Sequence, residues 1–92
     1  MKKYIDMFLE SASVFLQKTE EALNSNDLHL ISSQIHSMKP KFAMMGMKEA
    51  QPLALKIEKR ISEGNTQNIK EDVRRLQVLC QTLGDALSSQ IV

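Results

Sequence analysis

The chain has 92 residues, 42% of them apolar, and a net charge of +1 from twelve basic and eleven acidic residues scattered along its length. That length allows one domain near the lower end of what can bury a working core. The charge balance leaves no basic block for nucleic acid and no acidic tail. No apolar run approaches the roughly 20 residues a membrane span needs. Cys80, the only cysteine, excludes an internal disulfide and agrees with a reducing, cytoplasmic setting.

The N-terminal stretch "MKKYIDMFLESAS" starts basic but is interrupted by Asp6 and Glu10, so it does not read as a secretory h-region. A first helix is predicted from about Tyr4 to Asn24. Its apolar residues Ile5, Phe8, Ala12, Phe15 and Leu23 recur at helical spacing, with Leu9 and Leu16 flanking them. "NSND" then breaks the pattern and offers Asn26 or Asp27 as an N-cap. The second segment alternates by three and four through Leu28, Ile31, Ile35, Met38, Phe42 and Met45, and Gly46 follows where a C-cap glycine belongs. A third helix spans roughly Lys48 to Ser62, with Leu53, Ile57 and Ile61 facing inward and Pro52 early enough for its missing N–H to matter little. The fourth begins near Asn68, which with Glu71 has the spacing of a capping box; its stripe is Ile69, Val73, Leu76, Cys80, Leu83 and Leu87. Four one-sided helices with short turns must bury their stripes against one another. The expected fold is all-α, an antiparallel up-down-up-down four-helix bundle, with residues 1–92 as one domain.

The second segment carries the chemistry. At about 100° per residue, its stripe centres between Ile35 and Met38, and His36 falls roughly 140° away, on the solvent side. Its neighbours on that strip are Ser32, Ser33, Pro40 and Ala43, all small or compact, with Lys39 one turn on. A neutral imidazole is nucleophilic near pH 7, and an exposed Nε2 can attack a phosphoryl group. A nearby ammonium would stabilise the transferred charge. The rest of an enzyme is missing from the sequence: there is no second histidine placed as a base, no carboxylate cluster for a metal and no glycine loop for a nucleotide. His29, seven residues before His36, does not have the spacing of a metal pair and reads as a surface residue. Cys80 reads as core, and Arg74 and Arg75 as a solvated face. Of the methionines, only Met44 looks outward; Met38 and Met45 follow the core register.

His36, Lys39, Ala43 and Gly46 resemble the histidine-containing phosphotransfer (HPt) motif of two-component phosphorelays, in which lysine follows the histidine at +3, glycine at +4, a small residue near +7 and glycine at +10. "LKIE", ending at Glu58, is similar to the family's next helix. The resemblance covers essentially the whole chain, and it implies a four-helix bundle with the phosphoacceptor on its second helix. It further implies that His36 takes a phosphoryl group from the aspartyl phosphate of a receiver domain and passes it to another receiver, so that the chain is a phosphohistidine carrier rather than a complete enzyme. Lys39 would stabilise the phosphoryl group, and Gly46 would end the helix. Ser32, Ser33, Pro40, Ala43 and Met44 would form the docking surface. Response-regulator receivers or a hybrid sensor histidine kinase would be the partners, with no nucleic acid or membrane involved. No metal would be bound by this chain, the receiver supplying Mg²⁺, and the chain would act as a monomer. A second reading keeps the surface and drops the chemistry: a helical scaffold binding a partner through Ser32, Pro40, Ala43 and Met44.

Pro40 departs from the motif, which has glycine there. Proline removes the helical hydrogen bond to the His36 carbonyl and pushes on that carbonyl. The cost is about 3 kcal/mol in an isolated helix, against a domain stability of about 5–15 kcal/mol. The expectation is that the bundle absorbs it and that the helix runs on to Met45, because a stop at Met38 would misplace Phe42 and Met45.

Overall fold

The computed structural model describes the backbone of residues 2–91 and the side chains of residues 5–87. It contains four helices: α1 (Lys2–Ser25), α2 (Leu28–Met44), α3 (Ala50–Ser62) and α4 (Ile69–Ile91). No strand occurs among the described residues. Each helix packs on its neighbours in sequence and α4 closes on α1, while among the described residues the backbones of the diagonal pairs stay farther apart. That is the up-down-up-down square expected of short turns between antiparallel helices.

The turns are built as the sequence implies, with two corrections. Asn26 takes φ +56° and ends α1, with the Asp27 amide donating to the Ala22 carbonyl at 2.9 Å. Asp27 is the N-cap of α2, its carboxylate accepting from the Leu30 amide at 3.1 Å. At the far end Gly46 takes φ +67°, a left-handed conformation that glycine adopts without penalty. There Met47 N–H donates to the Phe42 carbonyl at 3.0 Å and Gly46 N–H to that of Ala43 at 3.2 Å. This pair of bonds is a Schellman closure of α2. The first correction is that α3 begins at Ala50 rather than Lys48, because Lys48 and Glu49 are used in the turn that leads out of that closure. The second concerns Asn68, which sits at φ +61°. An N-cap needs extended backbone to present its side chain, so the Asn68–Glu71 capping box does not form, and Glu71 N–H donates instead to the Asn68 carbonyl at 3.2 Å.

The core follows the predicted stripes of α1, α2 and α4, with Phe8, Ala12, Phe15, Ile31, Ile35, Met38, Phe42, Ile69, Val73, Leu76 and Cys80 all buried. On α3 the buried stripe is Ala50, Ala54 and Ile57, while Leu53 and Ile61 are only half-buried. The two alanines take the positions that face the core, and the larger Leu53 and Ile61 pack against it from the margin. Thr19 is fully buried in the register position after Phe15. Its hydroxyl donates to the Phe15 carbonyl at 2.7 Å and accepts from Gln77 Nε2 at 2.9 Å, so a polar group in the core is satisfied and ties α1 to α4.

Burial pushes the Cys80 thiol from its ordinary 9.0 up to about 12. In the unfolded chain the thiol ionises near 9.0, whereas in the fold it stays protonated to about 12. The unfolded state therefore binds fewer protons across that window. Stability is expected to be unaffected by this group below pH 9 and to fall as the pH rises above it. Urea unfolding of wild type and Cys80→Ala at pH 8 and pH 10 checks this: the wild type should lose more stability over the interval than the variant.

Candidate functional site

The stripe that buries Ile31, Ile35, Met38 and Phe42 turns His36 outward, and its side chain is 75% exposed. The strip beside it is as small-featured as expected. Ser33, Pro40, Ala43 and Met44 are exposed, Ser32 is half-buried, and His29 is exposed farther along the helix. α2 runs without interruption through Pro40 to Met44. What holds the segment beyond the proline is Phe42, fully buried and edge-to-face with Phe15 at a ring separation of 6.1 Å. Tertiary packing therefore overrides the local cost of proline.

The structure adds one residue to the site whose role the helical spacing does not reveal. Glu58 lies on α3 one position past the buried Ile57, at the edge of the core, and its side chain is only 20% exposed. The Lys39 ammonium is 3.0 Å from Oε1. That oxygen is shielded from water and makes no directed hydrogen bond, so the lysine meets it as a charge. Oε2 faces Nδ1 of His36 at 3.5 Å, longer than an ordinary hydrogen bond. A carboxylate this covered needs compensation, and the cation beside it supplies it.

One consequence concerns the imidazole. With Nδ1 toward a carboxylate, the favoured neutral tautomer carries its proton on Nδ1. The lone pair is then on Nε2, on the far side of the ring, where a partner can reach it. Lys39, three residues on along α2, has its ammonium on the same carboxylate. His36, Lys39 and Glu58 form a small charged cluster across the α2–α3 interface, surrounded by compact side chains.

The other positions fall where the sequence implies. Met38 is buried, Met45 and Met47 are half-buried against the core, and Arg74 and Arg75 are exposed, Arg74 pairing with Glu20 at 3.2 Å. Lys41, for which the helical wheel suggests no role, lines a cleft between α1 and α2 with Met7, Phe8, Pro40, Met44 and Met45. Among the described residues, no helix is long and apolar enough to cross a membrane.

Comparison with known protein families gives a match to the Hpt domain over residues 3–89, nearly the whole chain. Neither the comparison with curated proteins nor that with solved structures gives a match.

Proposed function

The chain belongs to the Hpt domain family, whose members carry out histidine phosphotransfer in two-component phosphorelays, and on that premise we propose that His36 is its phosphoacceptor. In this reading His36 takes a phosphoryl group from the aspartyl phosphate of one receiver domain and yields it to another. The observation that carries the assignment is the orientation of the ring, exposed and with Nδ1 turned to Glu58.

The step balances without a base on this chain. The Nε2 lone pair attacks phosphorus, the bond from phosphorus to the aspartyl oxygen breaks, and the receiver's aspartate leaves as a carboxylate. The Nδ1 proton stays on the ring, so the ring gains positive charge as the N–P bond forms. Glu58 stands where that charge develops, 3.5 Å from Nδ1, and an acid placed before the charge appears costs little reorganisation. Lys39 pairs with Glu58 in the resting state and, one helical turn from His36, would share its charge with the incoming phosphoryl oxygens. We assign Mg²⁺ and the acidic residues that bind it to the receiver, and to this chain the nucleophile and the docking face formed by Ser32, Ser33, Pro40, Ala43 and Met44. The chain would work in the cytoplasm as a monomer, since its four stripes bury one another.

Glu58 acts through His36 rather than on the phosphoryl group, and its removal has a graded effect. Glu58→Ala is expected to slow transfer from a phosphorylated receiver by about 10–100-fold. Glu58→Gln keeps an acceptor oxygen toward Nδ1 and should recover part of the rate. Rapid-quench transfer kinetics of the two variants check this, and equal rates for wild type and Glu58→Ala would remove Glu58 from the mechanism.

A further inference from the structure

We propose that Arg60 is a positioning residue for the transfer: clasped to Asp72 of α4, it sets the turn of α3 from which Glu58 reaches His36. This rests on the phosphotransfer reading, because Glu58 matters to the reaction only through the ring it faces. Little apolar surface holds α3. Its buried side chains are Ala50, Ala54 and Ile57, whereas α2 is keyed into the core by Ile31, Ile35, Met38 and Phe42. Small sliding movements between packed helices are common, and two alanines offer little side chain to interlock against them.

Polar contacts on both flanks supply the missing restraint. Ile57, Glu58 and Arg60 belong to one turn of α3. At about 100° per residue, Glu58 lies about 100° to one side of the buried Ile57 and Arg60 about 60° to the other. The two charges therefore leave α3 in different directions. Glu58 meets α2, with the Lys39 ammonium at 3.0 Å. Arg60 meets α4: its guanidinium donates to Asp72 Oδ2 at 2.5 Å and to the Gln67 carbonyl in the turn that leads into α4. The Arg60 and Asp72 side chains are only 18% and 19% exposed, so this pair is screened less than one on the open surface. The rigid fork of a guanidinium fixes direction as well as distance, and here it reaches two acceptors at once. Lys56, one turn earlier on α3, adds a looser contact to the same carboxylate at 3.8 Å.

The site is sensitive to that setting. Glu58 Oε2 is 3.5 Å from Nδ1 of His36, already at the outer edge of hydrogen-bond reach. A shift of α3 by about 1 Å takes the carboxylate out of reach, and misplacement on that scale is felt in rate. Arg60 leaves α3 toward α4 and does not meet the phosphoryl group. Its influence passes through Glu58. With the clasp released, Nδ1 loses its fixed acceptor, the proton redistributes between the two ring nitrogens, and fewer rings present the Nε2 lone pair. The surface of α2 around His36 is left as it was.

The test is a double-mutant cycle on the whole chain. Transfer from a phosphorylated receiver that labels the wild type is followed by rapid quench over a range of receiver concentrations. The variants are Arg60→Met, Glu58→Ala, the two together, and Arg74→Met as a control that removes an ion pair with Glu20 from the α1–α4 seam. Arg60→Met should lower the saturating rate about threefold to tenfold and leave the half-saturating receiver concentration unchanged. On the Glu58→Ala background the same substitution should cost less than about 1.5-fold, as should Arg74→Met in the wild type. Asp72→Ala, which opens the clasp from the α4 side, should give the pattern of Arg60→Met. Long-range ¹H–¹⁵N spectra of the unphosphorylated chain add a readout that needs no receiver. In both clasp variants a larger share of the His36 ring should carry its proton on Nε2, as in Glu58→Ala, with the His29 ring unmoved. Circular dichroism melting keeps every assay below the transition of the variant tested. Wild-type rates in both clasp variants, an equal loss with and without Glu58, or an unchanged His36 ring would each overturn the clasp while leaving His36 as acceptor. If no phosphorylated receiver labels the wild-type chain, the phosphotransfer reading falls and this proposal falls with it.

Discussion

His36→Gln is expected to end phosphoryl acceptance altogether while leaving the bundle as stable as wild type. The side chain is three-quarters exposed and contributes nothing to the core, so its loss should change stability by no more than about 0.5 kcal/mol. Glutamine is close in size and keeps a polar group toward Glu58, but its amide nitrogen is not a nucleophile. No other residue can take over. His29 is seven residues away and has no carboxylate partner among the described residues. Cys80 is buried, with its thiol pushed up to about 12, so it offers neither access nor a thiolate near neutral pH. Phosphate incorporation from a phosphorylated receiver should fall from stoichiometric to background, and calorimetry should show the variant binding that receiver within about threefold of wild type, because the docking face of Ser32, Ser33, Pro40, Ala43 and Met44 is unchanged and most residues of an interface contribute little individually. Label persisting on the variant would move the acceptor elsewhere.

The second large effect is structural and tests how the proline is tolerated. Phe42→Ala is expected to destabilise the domain by about 3–5 kcal/mol, the usual cost of emptying a buried phenylalanine site. On a total of about 5–15 kcal/mol this is severe. At roughly 4–8 °C per kcal/mol for a domain of this size, melting should fall by about 12 °C or more. Phe42 does more here than fill space. It lies two residues beyond Pro40, packs on Phe15 at 6.1 Å, and its carbonyl accepts from Met47 in the closure of α2. Without it, little holds the last turn of a helix already missing the hydrogen bond from residue 40. Amide exchange in residues 41–47 should therefore accelerate beyond the global change. Urea unfolding that shows a loss below about 1 kcal/mol would mean that the segment after Pro40 is held by something other than this ring.

Much of this was legible in the sequence, and for a physical reason. Helical periodicity reports which way a side chain points relative to its own helix. It therefore placed His36 outward, put Phe42 and Cys80 in the core and left Met44 exposed. Capping signals were legible where the backbone agreed with them, at Asp27 and Gly46. They misled at Asn68, because an asparagine that favours an N-cap also tolerates left-handed backbone, and here the second property prevailed. Contacts between helices leave no such trace. The pairing of Glu58 with His36 and Lys39 depends on how α3 is set against α2, and "LKIE" shows only that an acid ends an apolar run. The α3 stripe is only partly legible: Ile57 is buried and Leu53 and Ile61 pack against the core as expected, while Ala50 and Ala54, the other buried positions, are weak hydrophobic signals beside them. Thr19 was hidden by its hydroxyl, which the Phe15 carbonyl and Gln77 satisfy. The cleft beside Pro40 needs Met7 from the far end of the chain, and nothing local to either segment announces it.

The central claim is that Nε2 of His36 receives the phosphoryl group while Nδ1 keeps its proton toward Glu58. The most direct measurement is a long-range ¹H–¹⁵N correlation spectrum of the histidine side chains, recorded before and after incubation with a phosphorylated receiver and Mg²⁺. The expected result is one ring changing, that of His36, with phosphorus coupling on Nε2 and the His29 ring unmoved. Phosphorus on Nδ1, on His29, or on neither ring with a receiver that demonstrably binds would contradict it, the last of these leaving a helical scaffold whose surface survives without the chemistry.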